Sequence, residues 1–354
     1  MYGYYFDAFV LDELIFSITD TCNFRCRTCF YASTMDTRKA NGSHELSLGE
    51  IKKISSSIGS IKNLLISGGE PFLRDDLPEI CEIFYQQNNI CHIHLPSNGF
   101  YTHKIINYTR AILNKCPNIH LTIGLSLDGH QTTHEMIKNV KGCFDNTVET
   151  AKSLADLKNE FDNLELYIIT VVTNTNMNEI INLGEFVKNN LPVDGHGPSP
   201  LRGIPYDKTV SAPLYKDWHE FAMKFIPYHY YWAKKNNAIK SLSFIATNRI
   251  RYLYGVYTRV LKGRKLPFKC QAGNTIGVLE PNGDVKFCEL DDAIGNVRST
   301  NYDFKKIWLS GKANNKRKQT RQCSCTHACF LTPSIARSLP ASVKSFFCFT
   351  MAKP

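Results

Sequence analysis

Three cysteines fall close together in CNFRCRTC, at Cys22, Cys26 and Cys29. Thiolates grouped in this way bind soft metals. A tetrahedral zinc site needs four ligands, commonly as two C-x2-4-C pairs. This stretch supplies three, and no histidine lies between residues 20 and 43. A distant fourth ligand would complete a zinc site. A cubane [4Fe–4S] cluster held by three cysteines would instead leave one iron open to a substrate or cofactor. Six further cysteines, from Cys270 to Cys348, predict a second metal site. The remaining four, Cys81, Cys91, Cys116 and Cys143, are scattered and read as small buried hydrophobes.

The elements that must position these groups show in the hydrophobic pattern. LIFSIT (14–19), NLLIS (63–67), CHIHLP (91–96), HLTIGLSL (120–127), LELYIITVV (164–172) and, more weakly, PVDGHGP (192–198) read as strands. Between them LGEIKKISSSI, DLPEICEIFYQQ, HKIINYTRAILNK and NEIINLGEFVKNN carry helical periodicity. Strict alternation predicts an α/β fold with a parallel sheet under helices. Six units predict a partial (β/α)6 TIM-like barrel, whose active site is built by the loops after the strand C-terminal ends. The cysteine motif follows the first strand, SGGEP (67–71) the second and SNG (97–99) the third, while SLDG (126–129) ends the fourth. Four unusual sequences at four strand ends make a site.

With these motifs in place, the chain resembles the radical SAM superfamily over roughly residues 14–200. The resemblance implies a [4Fe–4S] cluster on Cys22, Cys26 and Cys29 whose open iron is chelated by S-adenosylmethionine (SAM). Reductive cleavage would yield methionine and a 5′-deoxyadenosyl radical that takes a hydrogen atom from substrate. Gly68 and Gly69 would let the backbone approach the methionine, with carbonyls accepting from its ammonium. Glu70 would accept from the same group, and Pro71 would stiffen the turn. Ser126 and Asp128 would contact the SAM ribose or carboxylate, with Asn98 and Thr173–Asn174 as weaker candidates. Thr28 stands where the family usually has an aromatic residue near the adenine, although Phe24 and Phe30 are close. Arg202, in PLRGIPYD (200–207), is read either as a partner for the SAM carboxylate or an anionic substrate, or as a surface arginine of a loop. No residue is singled out as catalytic.

The C-terminal pattern resembles the SPASM and twitch extensions of such enzymes. Cys270, the PNGD turn (281–284) and Cys288 match the hairpin portion, and Cys323, Cys325 and Cys329 follow in CSCTHAC. Six thiols cannot fill two cubanes with cysteine alone, so one auxiliary [4Fe–4S] cluster is expected. Cys270 and Cys288 are the firmest ligands, two of Cys323, Cys325 and Cys329 complete the set, and Cys348 is spare or echoes a final SPASM cysteine. A structural zinc site is the alternative. The domain reading is an extension over 1–13, the partial barrel over 14–210, a helical linker region over 211–266 and the cysteine-rich domain over 267–354. YHYYW (228–232), in the linker region, is read as an aromatic helix face packed on the barrel.

Composition constrains the rest. No run of 18 or so apolar residues appears, so no membrane span is expected. Asp7, Asp12 and Glu13 with no early Lys or Arg make a poor secretory signal, which places the protein in the cytoplasm. The formal charge of +10 suits an acidic partner, but metal-bound thiolates would offset part of it. The basic peak KANNKRKQTRQ (312–322) is read as a solvated helix face beside an anionic cluster, and nucleic acid is not expected as a partner. An electron donor such as flavodoxin or ferredoxin is implied. Peptide modification and chemistry on a small metabolite rank nearly equal, and the barrel's start near residue 14 counts against a leader-peptide domain. A non-catalytic Fe–S or zinc-binding protein is the remote alternative.

Overall fold

The computed structural model describes residues 10–236, 239–319 and 323–348. Most of the expected 1–13 extension, and the end of the basic stretch, lie outside the described residues. Strands β1 (Glu13–Thr19), β2 (Asn63–Gly68), β3 (His92–Ser97), β4 (His120–Ser126), β5 (Leu164–Val172) and β6 (Gly195–Pro200) pair in parallel, each with the next. Helices α1 (Ala32–Ala40), α2 (Leu48–Ile58), α3 (Leu77–Asn88), α4 (Thr102–Lys115), α5 (Gln131–Lys138), α6 (Cys143–Asp156) and α7 (Ile180–Asn190) fill the crossovers. This is the α/β partial barrel that the alternation predicts. β1 is buried at every position, as a parallel strand covered on both faces must be.

The sixth strand runs later than PVDGHGP would place it, over Gly195–Pro200. Asp194 stops the ladder short. Its carboxylate accepts from the Leu166 N–H at 2.9 Å and from Lys158 Nζ at 2.5 Å, so its side chain ties strand to helix. The stretch GHGPSP has no β-branched residue, which is why its strand signal is faint.

Beyond β6, α8 (Tyr215–Asn236) and α9 (Lys240–Leu261) form an antiparallel pair. The aromatic face of α8 packs on the barrel, with Phe225 and Trp232 edge-on to His196 of β6 at 5.2 and 6.1 Å. The chain then returns to the sheet. β7 (Ile276–Leu279) lies parallel against β1, and β8 (Asp284–Lys286) and β9 (Gly295–Asn296) follow antiparallel. The PNGD turn closes the β7–β8 hairpin with Gly283 at φ +89°, a left-handed position that glycine takes without strain. The sheet thus reads β6-β5-β4-β3-β2-β1-β7-β8-β9. Helices α10 (Phe304–Trp308), α11 (Gly311–Gln319), α12 (Ala328–Arg337) and α13 (Leu339–Phe346) complete the described chain. No described helix is long and apolar enough to cross a membrane.

The basic helix α11 is not simply a solvated face. Lys316 meets Asp291 at 2.8 Å, but Arg317 is buried. Its guanidinium donates to the Gly273 and Trp308 carbonyls at 2.5 and 2.6 Å and lies over the Phe287 and Trp308 rings. Truncating it would remove both of these hydrogen bonds and two cation–π contacts. Arg317→Ala is expected to cost about 2–4 kcal/mol, read as a lower urea midpoint. An unchanged midpoint would return the helix to the solvated reading.

Candidate active site

The loops at the strand C-terminal ends enclose one cavity. The cysteine loop supplies Cys22, Cys26 and Cys29, and the next turn supplies Gly68, Gly69 and Glu70. Asn98, Ser126 and Asp128 enter from β3 and β4, and Arg202 from the loop after β6. Pro71 is buried at the start of a short 3-10 turn, outside the lining. Thr173 and Asn174 also lie outside it; the Thr173 N–H bonds Asn176 and the Asn174 side chain accepts from Ser211 N.

The cysteine loop is held at several points. Arg25 binds Asp36 of α1 through Nε and Nη2 at 3.1 and 2.9 Å, and Arg27 reaches Asp207 at 2.7 Å. Tyr31, Ala32 and Met35 form a small apolar cluster against Cys22, Cys29 and Phe30. Burial pushes the Cys22 thiol up to about 11 and the Cys26 thiol up to about 12, the latter against the pull of Lys138. Metal binding here must displace those protons. Thr28 faces the cavity, Phe24 packs edge-on against Phe100 at 5.6 Å, and Phe30 lines the wall.

The two glycines have a role the sequence reading did not foresee. A Cβ on Gly68 would lie 2.5 Å from the Thr19 carbonyl oxygen, and one on Gly69 would lie 2.1 Å from that of Thr21. They let the turn press against the backbone leading into Cys22. Gly69→Ala is therefore expected to displace that cysteine and cut the iron bound after reconstitution by about four atoms per chain; full loading would refute the packing argument. Glu70 is buried and accepts from Ser97 Oγ at 2.9 Å, Asn98 N at 2.7 Å and Phe72 N at 3.3 Å. Burial raises its pKa to about 7 despite these donors. A carboxylate has about four acceptor sites, so three bonds leave capacity for one more donor.

Residues 16–187 match the model of the radical SAM superfamily. This part of the chain is a radical SAM domain. The superfamily uses a [4Fe–4S] cluster and SAM. Over 183 residues the chain is 29% identical to GTP 3′,8-cyclase of Helicobacter pylori, covering 51% of this chain and 53% of that protein. It is 32% identical to Fe-coproporphyrin III synthase of Methanosarcina barkeri over 135 residues, 37% of this chain and 31% of that one. The chain thus spans about half or less of these curated relatives. Among solved structures, anSMEcpe with bound AdoMet superposes with TM-score 0.62 at 19% identity, covering 88% of this chain and 83% of that one. Streptococcus suis SuiB superposes with TM-score 0.59 at 17% identity, covering 87% and 68%. At such identities the likeness is one of fold.

The radical SAM domain offers a donor set that fits its family's cluster. Among the described residues, no three His, Cys, Asp or Glu side chains converge as they would on a single ion. A cubane places each cysteine on a different iron, so its ligands need not meet at a point, and three thiols line one cavity. Two more charged residues line it. Lys138, at the end of α5, is buried and pairs with Asp128 at 2.8 Å. Asp128 also accepts from Val171 N at 2.8 Å, which fixes its carboxylate. Lys138 was missed because a lysine in the last turn of an amphipathic helix reads as a surface residue. Glu289 was missed too, although its place directly after Cys288 was a usable signal. It hydrogen-bonds His327 in the interior, and His327 packs on Phe330 at 4.7 Å. Arg202 lies over the Phe30 ring at 4.8 Å, so the loop arginine is stacked rather than free.

The C-terminal cysteines sort into two groups. Cys270, Cys323 and Cys325 lie close enough to shift one another's ionisation. Cys288 feels both Cys270 and Cys323, and burial pushes its thiol up to about 12. Cys329 is half-buried and its thiol is likewise pushed up, but the charged groups acting on it are Arg202, Glu289 and Glu13. Cys348 lies beside Arg251 of α9, which donates to its carbonyl at 2.7 Å.

Proposed function

We propose that the chain is a radical SAM enzyme that modifies a peptide, with an auxiliary [4Fe–4S] cluster on Cys270, Cys288, Cys323 and Cys325. The observation that carries this reading is the meeting of the three-cysteine loop, the Gly68–Glu70 turn and the Arg202–Glu289 wall in one cavity. When bound, a reduced cluster and SAM supply a 5′-deoxyadenosyl radical able to take a hydrogen atom from substrate. Cys22, Cys26 and Cys29 would hold the cluster. The Gly68–Gly69 carbonyls and Glu70 would receive the ammonium of methionine, while Lys138 or Arg202 would orient its carboxylate. Val171, Pro200 and Leu201 line the wall with apolar surface that excludes water. Cys329, beside Arg202 and Glu289, stays outside the auxiliary ligand set.

Two observations support a peptide. The related folds include anSMEcpe with bound peptide and SuiB bound to its precursor peptide SuiA. Exposed Ile204 and Leu290 lie on the two segments that carry Arg202 and Glu289, which suits apolar side chains of a substrate. A second reading, an acidic small metabolite, is favoured by Arg202 and by the curated relatives. The cysteine-rich chain suits the reduced cytoplasm, with a flavodoxin or ferredoxin as electron donor. The test is anaerobic reconstitution, an iron count, and reduction with SAM in the presence of candidate peptides. About eight irons per chain, 5′-deoxyadenosine and a changed peptide mass are expected. About four irons would remove the auxiliary cluster, and 5′-deoxyadenosine formation stimulated by acidic metabolites instead of peptides would select the second reading.

A further inference from the structure

Behind the cavity wall, five polar side chains from distant parts of the chain meet. Glu280, fully buried at the end of β7, accepts from Tyr31 Oη at 2.6 Å and from Arg38 Nη1 at 3.0 Å, and pairs with Lys286 at 3.0 Å. Arg38 also donates to Tyr31 Oη at 2.6 Å and to Asp20 at 3.2 Å. Asp20 lies 3.0 Å from the same Tyr31 Oη and is the alternative acceptor for its one proton. Two carboxylates therefore face two cations, and the phenol sits between them. Removing one charged member leaves a buried charge uncompensated, which is far more costly than losing a surface pair.

The network is placed where it can act on the site. Tyr31 follows Cys29 by two residues, lines the cavity and forms the apolar cluster against Cys22 and Cys29. Arg38 lies on the same helix, and Asp20 precedes Cys22. Glu280 and Lys286 come from the β7–β8 hairpin, which also meets the radical SAM domain through the ladder with β1 and through Pro281, whose carbonyl accepts from Leu46 N at 2.7 Å. We propose that Glu280 is a positioning residue: through Tyr31 and Arg38, the C-terminal hairpin fixes the cysteine loop in the geometry that binds SAM. This rests on the reading of that loop as the cluster site.

Glu50 provides a matched control. It also joins the radical SAM domain to the C-terminal part, through Tyr302 at 2.7 Å and Arg298 at 3.3 Å, but it lies outside the cavity lining. The full chain is reconstituted anaerobically and reduced, and the SAM-dependent part of its electron paramagnetic resonance signal is titrated. Glu280→Gln is expected to raise the SAM concentration at half-effect about tenfold, the loss of roughly one buried hydrogen bond to a charged group. Tyr31→Phe should shift it in the same direction, the double variant should add little, and Glu280→Asp should recover part of the loss. Glu50→Gln should lower the melting temperature and leave the titration unchanged. A wild-type titration in Glu280→Gln, or an equal shift in Glu50→Gln, overturns the proposal. If Glu280→Gln does not fold, Tyr31→Phe decides, and a wild-type titration there overturns it. A wild-type chain with no SAM-dependent signal overturns the cluster reading, and the positioning role with it.

Discussion

Replacing Cys22, Cys26 and Cys29 together by alanine is expected to lower the iron of the reconstituted chain from about eight atoms to about four and to abolish 5′-deoxyadenosine formation. All three thiols line the cavity that also holds Gly69 and Glu70, so the loss strikes the place where SAM would bind. Replacing Cys270 and Cys288 should remove a similar amount of iron and leave some 5′-deoxyadenosine, because neither residue lines that cavity. The pair of variants separates the two sites by iron assay and chromatography. Full SAM cleavage in the triple variant would refute the assignment of the loop. Equal abolition of cleavage in both variants would show that the sites do not work separately.

Removing the Lys138 ammonium is expected to cost about 3–5 kcal/mol of folding stability, the usual penalty for breaking a buried ion pair from one side. Asp128 is 1% exposed, and its carboxylate also accepts from Val171 N, so Lys138→Ala leaves a fixed charge with no counter-ion. The double change Lys138→Met with Asp128→Asn keeps the volume and removes both charges, so it should recover much of the loss. Urea unfolding of the wild type, Lys138→Ala and the double variant measures the loss and its recovery. If Lys138→Ala unfolds at the wild-type midpoint, the pair is better solvated than its burial indicates. SAM affinity should fall in both variants that lack the lysine, which separates its place in the cavity from its share of stability.

Much of this site was legible because its parts are local. A strand followed directly by Cys22, Cys26 and Cys29, and a second followed by Gly68, Gly69 and Glu70, declare both the residue types and the end of the barrel on which they fall. Parallel pairing of neighbouring strands then brings them together without further information. The parts that were not legible depend on sequence-distant packing. Nothing in HEMIK marks Lys138 as buried, since the Asp128 that holds it lies one turn and one strand end away. Nothing local marks Tyr31 or Arg38 either, because their partner Glu280 arrives from the hairpin. The C-x-C pair shows the same limit from the other side. Cys323 and Cys325 come within electrostatic reach of Cys270, and Cys329 within that of Arg202, which no spacing in CSCTHAC states. The faint sixth strand was misplaced for a simpler reason, a stretch rich in Gly and Pro whose pairing is carried by its backbone ladder with β5 and by His196 on Thr170.

The parallel seat of β7 on β1 also has a consequence for how the chain is made. β1 is the first of the described strands to be synthesised, and one of its two edges is filled only by residues more than two hundred positions later. At cellular synthesis speeds of about 5–20 residues per second, that edge stays open for roughly tens of seconds. An apolar strand with unpaired backbone groups is a template for wrong partners during that time. The cysteine loop hangs from the end of the same strand. The nascent chain therefore has reason to receive its iron late, after the hairpin has closed the edge, and chaperone demand should peak just before residue 276 emerges.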